Sequence, residues 1–170
     1  MEEITNKVKN SGIVTLDLTD FLPKKEIVEV DLEKLLWQGL VLKEKDFRLY
    51  IAEEDWTGYN DKIVAVYCSA DAIVPTWAYM LIASSLSGHA AEIYYGTMDE
   101  ALTKHISQKI AQLNELDYAD SRVVIKGCAD IPNPETLFLE LTLKLRPVVT
   151  SLMYGEPCST VPVYKKKRKA

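Results

Sequence analysis

Glycine and histidine are scarce here, seven and two in 170 residues, and the glycines never cluster. Neither G-x-G-x-x-G nor G-x-x-x-x-G-K-[ST] occurs, so the backbone cradles that hold nucleotide phosphates have no counterpart and no nucleotide cofactor is expected. No apolar run approaches the roughly 20 residues that cross a bilayer. The longest, at residues 78–85, is interrupted by serines, so no membrane partner is expected. The opening MEEITNK is acidic and lacks the basic flank and apolar stretch of a secretory leader, which makes the cytoplasm the expected location. Cysteine is limited to Cys68, Cys128 and Cys158. An odd number in a reducing compartment does not make a disulfide framework.

Positive charge is also in short supply outside one place. The net charge is −5, and residues 165–169 (KKKRK) supply +5, so the rest of the chain carries −5 − 5 = −10. A nucleic-acid surface needs clustered Lys and Arg on the fold, so nucleic acid is not an expected partner. Residues 165–170 read as a solvated basic tail and residues 1–164 as a single α/β domain. Protein partners and self-association are compatible with this composition, and neither is specified by it.

Hydrophobic patterning supplies the elements. Residues 1–12 read as an amphipathic lead-in ending at Gly12. Residues 13–18 (IVTLDL) and 26–30 (EIVEV) read as short strands. Asp31 is a helix cap ahead of Leu32, Leu35, Leu36 and Trp37. Residues 43–55 read as a charged surface helix with Phe47, Tyr50 and Ile51 inward, followed by an aromatic loop at residues 56–61. Strands at 63–67 (IVAVY), 92–95 (EIYY) and 122–126 (RVVIK) then alternate with helices at 75–86, from Thr97 to about Leu113, and from Asn133. The second of these opens on a capping box, Thr97 with Glu100. The pattern predicts an α/β fold: a mainly parallel sheet with a βαβαβα core and an N-terminal extension of short strands and helices.

Cys68 follows the first of those three strands and Cys128 the third. Parallel strands end at one edge of a sheet, and ligands of open α/β sheets bind there. On this layout both thiols stand at adjacent strand ends, with Cys158 arriving on the Gly-Glu-Pro-Cys segment. Cys68, Cys128 and Cys158, with Asp71 as a further ligand, are therefore the candidate metal site, for Zn²⁺ or iron. Asp130, a histidine or water are other choices for the fourth position. Separations of 60 and 30 residues match no zinc-ribbon or ferredoxin spacing. A second reading makes Cys68 a catalytic nucleophile or redox thiol, activated by the N-terminus of the following helix. A third makes all three cysteines packing residues in a non-catalytic interaction module. Asp71 also reads as the cap of that helix.

The stretches SGIVTLDL (11–18), QGLVLKEKDFR (38–48), CSADAIVPTWAYM (68–80), VVIKGC (123–128) and LMYGEPCSTVPVYKKK (152–167) resemble a family of small cytosolic proteins of Bacteroidetes classified only as a domain of unknown function. The resemblance spans essentially the whole chain. It implies an accessory role in iron–sulfur cluster or metal handling, and it implies no catalytic residues.

Overall fold

A computed structural model describes residues 12–127 and 130–167. Cys128, the lead-in at residues 1–11 and the last three residues of the tail lie outside the described residues. The fold is mixed α/β, with four α-helices among the described residues and two mostly parallel sheets. The chain falls into two compact units, one formed by Pro23–Lys104 and the other by Met1–Leu22 with His105–Ala170.

The unit of residues 23–104 carries a three-stranded sheet. Its strands are β2 (Ile27–Asp31), β3 (Ile63–Tyr67) and β4 (Glu92–Tyr95), in that order and all parallel. β3 is central, and Ile63, Val64, Ala65 and Val66 are all buried. Burial on both faces is why this strand is a continuous apolar run. One face packs Val64 and Val66 against α1 (Glu44–Glu53) and α2 (Thr76–Leu86), through Phe47, Ala78, Ile82 and Leu86. The other holds Ile63, Ala65, Tyr94 and Ala101. Trp56 is buried, and its indole N–H donates to the Ile51 carbonyl at 3.1 Å, so the aromatic loop is anchored to α1. Asp31 caps a 3-10 turn, Leu32–Leu35, and not a full helix. α3 (Met98–Gln112) opens on the expected capping box: Thr97 N–H donates to Glu100 at 2.8 Å, and Glu100 N–H to the Thr97 hydroxyl at 3.4 Å.

The other unit carries four strands in the order β1 (Ile13–Asp17), β5 (Arg122–Lys126), β6 (Ser151–Glu156), β7 (Ser159–Lys165). β1, β5 and β6 are parallel, and β7 returns antiparallel along β6. α4 (Pro134–Leu145) buries Leu137, Leu141 and Leu145, one i, i+4 stripe. Leu139, two residues off that stripe, is 64% exposed. β7 reaches Lys165, and the Lys166 N–H donates to the Thr150 carbonyl at 2.9 Å, so the basic run begins inside the sheet.

The expected adjacency of the strands before Cys68 and Cys128 does not occur. β3 has β2 and β4 as neighbours, while β5 lies between β1 and β6 in the other sheet. Periodicity identifies a strand and its direction; it carries no label for its partner. β5 pairs instead with IVTLD, more than a hundred residues upstream, in a parallel register from Ile13 opposite Arg122 to Asp17 opposite Lys126.

Candidate functional site

Cys68 leaves the carboxyl end of β3 and is half-buried, its thiol directed at the Ala70 carbonyl at 3.7 Å. It packs against the core on the α1 and α2 side. α2, the helix whose N-terminus was expected to activate the thiol, begins at Thr76, after the loop of residues 69–75. Asp71 lies in that loop, exposed, and does not cap α2: the cap position is Pro75, with no side-chain bond. His89 follows α2, its Nδ1 2.9 Å from Asn60 Oδ1. Its carbonyl accepts from the Asp61 N–H, just before β3 starts, so it stands at the opposite edge of the sheet from Cys68. His105 is buried in α3.

The strongest polar contacts at this edge involve residues not singled out as a group by the sequence. Ser69 N–H donates to Asp31 at 3.0 Å, and the Ser69 hydroxyl oxygen stands 2.6 Å from a carboxylate oxygen of both Asp31 and Glu33. Asp31 also accepts from the Glu33 N–H at 3.0 Å. Partial burial pushes the Asp31 carboxyl up, but the bonds from Ser69 and Glu33 outweigh it and hold the pKa below the ordinary value. This ties the end of β2 to the loop after β3. The cap was legible in the sequence; the tie to Ser69 depends on β2 and β3 being neighbours.

In the other unit, β1, β5 and β6 end in Asp17, Lys126 and Glu156. The Lys126 ammonium lies 2.9 Å from Asp17 and 3.8 Å from Glu156. Asp17 also accepts from the Thr19 N–H at 2.9 Å and hydroxyl at 2.7 Å. Burial raises its pKa, and the Thr19 bonds with the Lys126 charge lower it further than that, below the ordinary carboxyl value. Cys158 is exposed at the two-residue turn, Pro157-Cys158, that joins β6 to β7. Among the described residues no three His, Cys, Asp or Glu side chains form a group able to hold a metal ion.

Toward the same carboxyl ends, α4 and the sheet line an open pocket of about 370 Å³. Its wall is apolar: Ile125 of β5, Leu152 and Met153 of β6, Val163 of β7, and Pro134 and Phe138 of α4. Three polar residues complete it, Glu135, Thr142 and Tyr154. None of the three makes a side-chain hydrogen bond or ion pair among the described residues. The Phe138 and Tyr154 rings meet edge to face with centroids 5.1 Å apart. Gly127 makes room for this corner, since a Cβ there would come within 3.2 Å of Leu18 and 3.3 Å of Phe138. A more open depression of about 620 Å³ lies between α3 and α4, but its Lys144 is already engaged by the Ala111 carbonyl at 2.7 Å and Glu115 at 3.4 Å. The pocket was invisible in the sequence because β6 and β7 were not expected as strands.

Among the described residues no helix is long and apolar enough to cross a membrane. No curated protein and no solved structure matches the chain significantly. Residues 2–166 do match one family, described as protein of unknown function (DUF2480), and the chain belongs to that family.

Proposed function

We propose that this chain binds a small, largely apolar molecule in the pocket between α4 and β5, β6 and β7. The observation that carries this is the pocket itself. At about 370 Å³ it is of the size that small ligands occupy, apolar with a few unspent polar groups. It also lies beside the first turn of α4 and the carboxyl ends of β5 and β6, where α/β sheets bind ligands. Indole, a neutral aromatic probe, is expected to give saturable NMR shifts of the Ile125, Leu152 and Val163 methyls. Val163, half-exposed on edge strand β7, can be enlarged without opening the core. Val163→Trp is expected to weaken indole binding at least tenfold with the fold retained by circular dichroism. Unsaturable shifts, or binding unchanged in Val163→Trp, overturn the reading.

A metal-handling role is favoured by a different observation. β5 and β6 are parallel neighbours, with Ile125 opposite Tyr154. Cys128 comes two residues after β5 in the chain and Cys158 two after β6, so the sequence leads to both thiols from one sheet edge. Thiolates at that edge suit Zn²⁺ or iron. Cys68 and Asp71 follow β3, in the other sheet. A role as accessory factor in iron–sulfur handling rests on the family resemblance alone. The two described cysteines are free thiols, in keeping with the reducing cytosol where we place the protein. Protein isolated anaerobically is expected to carry stoichiometric zinc or iron, lost in Cys128→Ser with Cys158→Ser and kept in Cys68→Ser. Metal-free protein, or loss confined to Cys68→Ser, removes this reading.

A further inference from the structure

Resting on the pocket reading above, we infer that the ligand is a small aromatic or branched apolar molecule bearing a cationic amine. The lining of the pocket carries charge of one sign. Glu135 is the sole ionisable carboxylate in the lining, exposed in the first turn of α4, and no Lys or Arg joins it. The nearest cation on the adjoining strand, Lys126, follows Ile125 and so points to the other face of β5, where Asp17 holds its ammonium at 2.9 Å. An anionic ligand therefore meets a carboxylate with no Lys or Arg in the lining to offset it. A cationic ligand meets the same carboxylate, two aromatic rings whose electron-rich faces attract cations, and the Tyr154 and Thr142 oxygens as hydrogen-bond acceptors. Glu135 has no competing partner among the described residues, so pairing it with a ligand breaks nothing already made. The apolar wall then takes the ring or branched chain.

Three probes of one shape and different charge test this: phenethylamine, 2-phenylethanol and 3-phenylpropionate, titrated by NMR against the intact chain. The expected order is amine tightest and carboxylate weakest. An exposed ion pair plus a cation–π contact should favour the amine over the alcohol roughly three- to thirty-fold. Glu135→Gln is expected to remove the ion-pair share of the preference for the amine, roughly 1.4- to fivefold, while leaving 2-phenylethanol unchanged. Sodium chloride at high concentration is expected to narrow the gap in the same direction. Equal binding of all three, tighter binding of the carboxylate, or a preference of the same size in Glu135→Gln overturns the cationic assignment and leaves the pocket standing. Failure of all three, together with indole, overturns the pocket reading and this inference with it.

Discussion

Asp17 and Asp31 do comparable work at the ends of β1 and β2. Each ends its strand, caps a 3-10 turn through its own carboxylate, and reaches a residue from a neighbouring strand or the loop after it. Both pKa values are lowered in the folded chain. A carboxyl depressed on folding stabilises the native state above its unfolded pKa, about 3.9, and loses that contribution as pH falls through the folded value. Urea midpoints measured from pH 6 downward should therefore fall below about pH 4. In Asp17→Asn and Asp31→Asn that acid-linked part of the fall should shrink. If the variants track the native chain at every pH, the hydrogen bonds to Thr19 and Ser69 are not what holds these carboxyls ionised. Near neutral pH, Asp31→Ala should cost about 1–2 kcal/mol, the usual worth of a lost cap. Asp31 was legible as a cap from the sequence. Asp71 was misread because its loop is longer than a single cap position, and Pro75 with its fixed φ takes the start of α2 instead.

At the scale of elements, the β6–β7 hairpin is the part that pattern-reading missed. Pro157 and Pro162 favour extended backbone in the residues before them but cannot donate to a ladder. Pro157 sits in the turn, and Pro162 lies on an edge strand, where a missing N–H costs no internal ladder bond. Gly155 makes the hairpin possible. Its φ is +114°, and a Cβ there would sit 2.7 Å from the Ser159 carbonyl oxygen. Gly155→Ala should destabilise the chain by about 1–3 kcal/mol through backbone strain alone. A thiol probe should then reach Cys158 no more slowly than in the native chain, since that thiol is already exposed, while amide exchange along β7 should quicken. Unchanged exchange in β7 would show that the strain is relieved elsewhere. By contrast, the Thr97–Glu100 capping box and the buried α4 stripe were legible, because their signals lie within one turn or one helix face.

For the whole chain, the decisive fact is that its apolar strands are shared between two sheets. All three tryptophans, Trp37, Trp56 and Trp77, fall within residues 23–104, so indole emission reports on that unit. Ile82 is fully buried in the core that includes Trp56 and packs Trp77. Ile82→Ala should lower the stability read by indole emission by about 2–5 kcal/mol, transfer and cavity costs together. A loss under 1 kcal/mol would mean that this core closes around the cavity. The candidate site changed with the sheets. Cys68 and Cys128 were placed side by side on a layout with the strand of residues 63–67 between those of 92–95 and 122–126, and the chain pairs β5 with β1 and β6 instead.

Local signals in this sequence were sufficient for α/β class, for most strand and helix positions, and for the caps at Asp31 and Thr97, because hydrophobic period and capping act over a few residues. The tertiary structure alone decided which strands share a sheet, and with that the Asp17–Lys126 pair, the Asp31–Ser69 tie and the pocket beneath α4. Those features join residues tens to more than a hundred positions apart, and pairing over such distances is chosen by the sum of side-chain burial on both faces of each sheet, a quantity no single stretch of the chain contains.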